Sequence, residues 1–406
     1  MGTEGTKGIA GVELFVILLA IAVVVAIGTA RVSARLPVPY SVALVVAGFI
    51  ISLVGPAADL EITHELILAV LIPGLVFEAA YKIHLDELRR ALPAVAVLAV
   101  PGVAVTAAVV GAVVSAVTGL APSLAFLLGA IVCATDPVAV IAIFKQLRAP
   151  ASLATVVEAE SLLNDGTGVV LFGIALAAVT APVGIADGLA TFTVAVVAST
   201  LLGLVAGFIG VRVMRLADDR LVEVMASVVL AYGTYLLAEH FHQSGIIATV
   251  IAGIVLGNPG AKRTLPEVTT QSLDTVWEFI AFLLTALVFL LVGVVIKPAD
   301  LAIALPIIVV GYLAMTGARA AIVYGLIGIG QRIGPPGVRL SLGYQHVMFW
   351  AGLRGAIAIA LVLALPTDLP SRDLVAGGVY GIVLVTLLLQ GTTAGWVVRR
   401  AGVLDA

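Results

Sequence analysis

Cys133-Ala134-Thr135-Asp136-Pro137-Val138-Ala139-Val140 places a carboxylate and a proline inside a run that stays apolar on both sides. Proline has no amide hydrogen to donate and its ring clashes with the carbonyl four residues back, so a helix carried across Pro137 loses its bond to Cys133 and opens. Downstream, Asp136 suits the capping position of a new helix and Pro137 its first turn. The stretch therefore reads as two half-helices that leave carbonyl oxygens, a hydroxyl and a carboxylate at one level. Its surroundings decide whether that level lies in water or in lipid.

Hydrophobic residues fill 62% of the 406 positions and charged residues 11%, against about half and about a quarter in a soluble domain. The apolar residues fall in blocks of roughly 20, the length that crosses a hydrocarbon core about 30 Å thick. These blocks predict an all-α polytopic membrane protein of about thirteen spans, at 9–29, 38–55, 65–82, 92–117, 123–145, 154–179, 185–213, 221–239, 244–258, 275–296, 301–329, 345–366 and 374–398. The first block has too long an apolar core for a signal peptide and is kept as a helix. Met1-Gly2 with Thr6 fits the myristoylation pattern, but the expected topology puts this end outside the cell. Cys133 is the one cysteine, which excludes an intrachain disulfide and a multi-cysteine metal site.

An odd number of spans joined by short loops sends the two termini to opposite sides, and the basic residues test that count. One side receives Arg31, Arg35, Lys82, Arg89, Arg90, Lys145, Arg148, Arg212, Arg215, Arg220, Lys262, Arg263, Arg332, Arg339, Arg399 and Arg400; the other receives Lys7, Lys297 and Arg372. The N-terminus is accordingly expected outside and the C-terminus in the cytoplasm, in the cytoplasmic membrane of the cell. The spans divide as six, one and six, with halves at 9–179 and 221–398 and a linking helix at 185–213, a recurring transporter plan. Spans five and twelve both carry helix-breaking residues at mid-depth, the second being Gly352-Leu353-Arg354-Gly355. Paired interruptions of that kind point to a binding site.

A charge at the centre of a span costs at least about 2.5–3.5 kcal/mol, so each one needs a reason. Glu78, Asp136, Glu158, Glu160, Asp165, Arg319 and Arg354 are such charges, with Asn164 beside them. The acids outnumber the bases, so some carboxylates must meet water, hold protons or bind cations. In Glu158-Ala159-Glu160-Ser161-Leu162-Leu163-Asn164-Asp165-Gly166-Thr167-Gly168, helical spacing sets Glu158, Ser161 and Asp165 along one stripe and Glu160 with Asn164 along the next. The first stripe suits an ion shared with Asp136; the second suits a brace. Gly166 and Gly168 are expected to admit the crossing fifth span, and Gly203-x₃-Gly207 and Gly253-x₃-Gly257 to pack helices. An intramembrane hydrolase lacks its His-Glu-x-x-His or Gly-x-Ser-x-Gly motif here, and His64, His84, His240, His242 and His346 all lie near span ends or in loops. A cation channel would also line a path with carboxylates, but paired broken helices favour alternating access.

At these residues the sequence resembles the cation–proton antiporter superfamily, in its NhaP and eukaryotic sodium/proton exchanger branch. The matching motifs are Ala134-Thr135-Asp136-Pro137, Glu160-Ser161-Leu162-Leu163-Asn164-Asp165-Gly166, Phe77-Glu78-Ala79-Ala80 and Gly352-Leu353-Arg354-Gly355-Ala356, in family order over nearly the whole chain. The resemblance implies two inverted six-helix repeats and a homodimer. It also implies a core domain, including 92–179 and 301–398, that moves against a dimerisation domain made of the remaining helices. It implies exchange of sodium or lithium for protons, with no cofactor and no nucleic-acid partner; potassium remains an alternative cargo. Asp165 becomes the ion- and proton-binding carboxylate, with Asp136, Ser161 and the Thr135 backbone oxygen as further ligands; the sodium site is Asp136, Ser161 and Asp165. Glu78 matches an acid near the ion path. Arg319, in Ala318-Arg319-Ala320, matches a base that pairs with Glu160, and Arg354 is the second candidate. The Asn164-Asp165 pair resembles the electroneutral branch and implies one proton per sodium. The long cytoplasmic tail of the eukaryotic exchangers is expected to be absent from this polypeptide.

Overall fold

The computed structural model describes residues 16–29, 39–54, 64–217, 219–262, 264–327 and 341–404. Met1, Gly2, Thr6, Lys7, Arg31, Arg35, Arg263, Arg332 and Arg339, on which the lipidation and topology expectations partly rest, lie outside the described residues. The helices are α1 (Val16–Thr29), α2 (Tyr40–Val54), α3 (a π-turn Leu66–Leu71 leading into Ile72–Lys82), α4 (Leu85–Thr118), α5 (Pro122–Val132), α6 (Val138–Leu147) and α7 (Ala151–Thr180). There follow α8 (Ile185–Met214), α9 (Arg220–His240), α10 (Gly245–Gly257), α11 (Glu267–Val295), α12 (Leu305–Gly325), α13 (Leu342–Trp350), α14 (Ala356–Leu363) and α15 (Arg372–Arg400).

Among the described residues, seven helices are long and apolar enough to cross a membrane: α4, α7, α8, α9, α11, α12 and α15. That is fewer than the thirteen spans expected from the apolar blocks. The difference has a physical cause. The block at 123–145 is split into α5 and α6, and the block at 345–366 into α13 and α14, so neither is one continuous helix. Other blocks, such as α2 and α10, are occupied by helices of only 15 and 13 residues, short of the roughly 20 that a perpendicular crossing needs.

Helix α4 runs 34 residues from Leu85 to Thr118, beginning seven residues before its apolar block at 92. Its entry turn carries Asp86 and Glu87, which complement the positive end of the helix. Pro101 removes a backbone donor inside it, and the chain answers with a π-turn over Leu98–Gly102. Gly119, with φ of 74°, terminates it in the left-handed conformation.

Packing partners fall into two sets. Helix α5 lies against α4, α7 and α15, and α12 lies against α4 and α15. In the other set α11 packs on α2 and α3, and α10 on α3, α8 and α9. The small-residue spacings serve the second set: a Cβ at Gly203 would meet the Ala248 carbonyl of α10 at 2.4 Å, and one at Gly257 would meet the Tyr81 carbonyl of α3 at 2.1 Å. Gly168 faces the break at Ala134 as expected, whereas Gly166 faces Ile247 of α10. Outward, α8 presents Val194, Val197, Leu201, Val205 and Phe208, each more than half exposed. An apolar surface of that extent is suited to lipid, not water, and the chain is an integral membrane protein.

The α2–α11 contact gives a direct check on this packing. A Cβ at Gly293 would sit 2.2 Å from the Val45 carbonyl, whereas one at Gly173 meets nothing within 4 Å. Gly293→Val is expected to lower the thermal unfolding midpoint in detergent by an amount corresponding to about 1–3 kcal/mol, while Gly173→Ala leaves it unchanged or raises it.

Candidate ion site at the crossing of two broken helices

Helix α5 ends at Val132 and α6 begins at Val138; helix α13 ends at Trp350 and α14 begins at Ala356. The two interruptions touch. The Asp136 amide donates to the Leu353 carbonyl at 2.8 Å, a bridge from one break to the other. The carboxylate of Asp136 then serves both new helices, accepting from the Val138 amide at 3.1 Å and from the Ala356 amide at 3.4 Å. Helix N-termini carry unpaired amides and positive partial charge, so one anion caps two of them. The first helical residue is Val138, one later than the proline expected there, with Pro137 in the cap position. Gly355 is required by this arrangement, because a Cβ on it would lie 1.8 Å from Asp136 Oδ2.

The two opposite half-helix ends expose carbonyls, and each receives an arginine. Arg354, 1% exposed, donates from Nε to the Val132 carbonyl at the end of α5 and from Nη1 to the Gly352 carbonyl at 2.7 Å. Its own amide donates to Thr386 Oγ1 at 3.1 Å. Arg319 donates from Nη2 to the Met348 carbonyl at 2.6 Å and from Nε to the Phe349 carbonyl at 3.2 Å, at the end of α13. The same guanidinium grips Glu160 in a two-point pair, Nη1 to Oε1 at 2.7 Å and Nη2 to Oε2 at 3.2 Å. The choice between arginines is thus resolved: Arg319 pairs with Glu160, and Arg354 holds the other break. Sequence reasoning missed the capping role of both, although two bases beside two helix breaks were the available signal.

Helix α7 meets the crossing along two stripes. Ser161 Oγ donates to the Thr135 carbonyl. Asn164 clasps Thr135, accepting from its amide at 3.2 Å and donating from Nδ2 to its hydroxyl at 2.7 Å. A cavity of about 80 Å³ lies between the breaks and helices α3 and α11, lined among others by Asp136, Glu158, Ser161 and Asp165. Asn164 and Glu160 border a separate space of about 10 Å³ with Arg319 and Arg354. Glu78 is not among the residues lining the larger cavity; it forms an ion pair with Lys82 at 2.5 Å. Among the described residues no ion pair engages Asp165 or Glu158; the charges acting on Asp165 are Asp136 and Arg354, and those acting on Glu158 are Lys145, Glu78 and Lys82. No group of three or more His, Cys, Asp or Glu side chains suited to a resident metal occurs among the described residues.

The family described as "Sodium/hydrogen exchanger, transmembrane" matches residues 19–400. The chain belongs to the sodium/hydrogen exchanger family. It is a secondary transporter of the cation–proton antiporter superfamily and not an enzyme. It is 36% identical over its whole length to the Na(+)/H(+) antiporter ApNhaP of Aphanothece halophytica, covering 77% of that protein. It is 33% identical to the Na(+)/H(+) antiporter NhaH of Halobacillus dabanensis, with 96% of this chain and 98% of that one aligned. The solved sodium proton antiporter MjNhaP1 of Methanocaldococcus jannaschii superposes with a TM-score of 0.77 over 97% of this chain and 100% of that one, at 21% identity, and shares the fold.

The buried pair gives the test of the site's frame. Glu160→Ala is expected to cost about 3–5 kcal/mol, because it strands the Arg319 charge. Glu160→Ala/Arg319→Ala should lose less than the sum of its single variants by about 1 kcal/mol or more, measured by thermal unfolding in detergent. Recovery is incomplete because Arg319 also satisfies the Met348 and Phe349 carbonyls. Additive losses would contradict the pair.

Proposed function

We propose that this exchanger binds sodium or lithium and protons alternately at Asp165, in the cavity bounded by Asp136, Ser161 and Glu158. The observation that carries the reading is the division of labour among the acids. Glu160 is neutralised by Arg319, Glu78 by Lys82, and Asp136 is committed to two helix ends; among the described residues Asp165 and Glu158 border the cavity outside any ion pair, Asp165 within electrostatic reach of Asp136 and Glu158 within reach of Lys145 and Lys82. Oxygen donors at Asp136, Ser161 and the Thr135 carbonyl are hard ligands suited to alkali-metal ions. A cavity of about 80 Å³ has room for one such ion with a few waters.

Burial disfavours a bare carboxylate, and either a proton or a bound cation relieves that penalty. The loaded site therefore crosses the barrier between the two packed sets of helices and the empty, charged site does not. Obligatory exchange follows from competition for one carboxylate, without contact between the two cargoes. We propose one proton per sodium, because Asn164 cannot titrate beside Asp165 and both its amide atoms are engaged by Thr135.

The set containing α4–α7 and α12–α15 is proposed as the moving core, and the set containing α2, α3 and α8–α11 as its partner; each set takes helices from both of the proposed inverted repeats of six spans, which the linking helix α8 joins. A homodimer is proposed to form through that partner set. The N-terminus is proposed outside. In support, helix ends bearing basic residues meet on one face: Ser152 contacts Tyr344 at 3.1 Å, Gly343 abuts Ala401 close to Arg399 and Arg400, and Gly257 abuts Tyr81 next to Lys82.

In proteoliposomes, Asp165→Asn is expected to reduce sodium- and lithium-driven proton flux by at least about a hundredfold, with folded protein retained. Retained flux would refute the assignment of Asp165. Wild-type exchange at one-to-one stoichiometry should not respond to an imposed potential, which acts with about 2.3 kcal/mol per net charge per 100 mV; a clear response would refute electroneutrality.

A further inference from the structure

Helix α3 carries two neighbouring stripes in its last two turns. Phe77 and Tyr81 face the packed side: the Phe77 and Trp277 rings lie 4.7 Å apart, Tyr81 Oη donates to Asp274 Oδ1 at 2.7 Å, and Lys262 Nζ sits 4.0 Å over the Tyr81 ring. These contacts clamp the end of α3 to α11 and to the turn after α10. Glu78 and Lys82, each one residue further along, form the next stripe and pair with each other at 2.5 Å, with side chains 15% and 34% exposed. Glu158 of α7 lies within electrostatic reach of both, and of Lys145 at the end of α6.

Two cavities meet helix α3 on either side of this pair. The ion cavity touches Leu75, Val76 and Ala79, and a wider space of about 490 Å³ touches Tyr81, Lys82, Ile83 and His84. The Glu78–Lys82 pair occupies the helical turn between them. Glu78 itself lines neither space, but Leu75 one turn before it and Glu158 within its electrostatic reach line the ion cavity, and its partner Lys82 lines the wide space.

We propose that Lys82 is a tethered counter-cation held on Glu78, which an arriving sodium or lithium ion must displace before it reaches the Asp165 cavity. The chemistry of lysine suits this role. Its ammonium is a compact charge on a flexible four-carbon stem, able to swing away into the wide space, and it competes with an alkali ion for the same carboxylate oxygens. The Lys82 side chain is about a third exposed and borders the wide space, so its ammonium can leave Glu78 and return. Lys82 thereby raises the sodium concentration needed for half-maximal exchange from this face and leaves the chemistry at Asp165 untouched. The inference rests on the Asp165 cavity being the transport site.

The test is sodium-driven proton flux in everted membrane vesicles, with sodium added to the face that bears Lys82. Lys82→Gln is expected to lower the apparent KM for sodium by about threefold to tenfold with maximal flux retained. Lys82→Arg, which keeps the charge, is expected to show a KM at or above that of the wild type. In a Glu78→Gln background, Lys82→Gln should change KM no further. A purely structural Lys82 would change maximal flux or protein level instead. An unchanged or raised KM in Lys82→Gln, or the same drop without Glu78, overturns the proposal. Should Lys82→Gln fail to assemble, a KM below wild type in Lys82→Arg overturns it. Asp165→Asn run in parallel separates the two readings: flux retained there refutes the cavity assignment, whereas flux lost there with KM unmoved in Lys82→Gln refutes the tether alone.

Discussion

Four helix ends meet inside this membrane protein, and each leaves backbone groups that an apolar interior cannot satisfy. Everything else at the site depends on how those ends are closed. Asp136 closes the two N-termini, at Val138 and Ala356, while Arg354 and Arg319 close the two C-termini, at Val132 and Met348. The charges match the partial charges of the helix ends they serve. An unsatisfied backbone group in hydrocarbon costs several kcal/mol, so none of the three side chains is dispensable to the crossing. Charged residues that look extravagant in a membrane chain are here the condition for breaking two helices inside it.

That closure also divides the acids. Arg319 takes Glu160 as well as the end of α13, which ties α7 to α13. Asn164 and Ser161 hold the Thr135 segment from the same helix. Asp165 is thus carried on a helix fixed at Glu160, Ser161 and Asn164, and borders the cavity beside Asp136; among the described residues neither it nor Glu158 is in an ion pair. A fixed frame around a carboxylate outside any ion pair suits the proposed competition between a proton and an alkali ion. The proposed displaceable contact is elsewhere, on α3, where Lys82 reaches Glu78.

Much of this was legible in the residues. The Thr135-Asp136-Pro137 break, the separation of the Glu160 stripe from the Asp165 stripe, and the helix-packing glycines on α8 and α10 all follow from proline chemistry, helical spacing and residue size. The choice of arginine was not legible, because Arg319 and Arg354 lie on different helices and only their three-dimensional placement relative to α7 decides which meets Glu160. Nor was the role of Asp136 toward Ala356, which depends on a contact between residues 220 positions apart. The apolar blocks overstated the number of continuous crossings, because hydropathy registers a broken pair such as α5 and α6 as a single span. The Lys82–Glu78 pair sits at ordinary i,i+4 spacing, and only its position between two cavities distinguishes it from a surface ion pair.

The central claim is that proton and cation occupy one carboxylate in turn. The most direct measurement is proton release from purified protein in weakly buffered detergent solution as sodium or lithium is added. The account predicts saturable release approaching one proton per ion bound, with none from Asp165→Asn. Sodium binding without proton release, or undiminished release from Asp165→Asn, would contradict it.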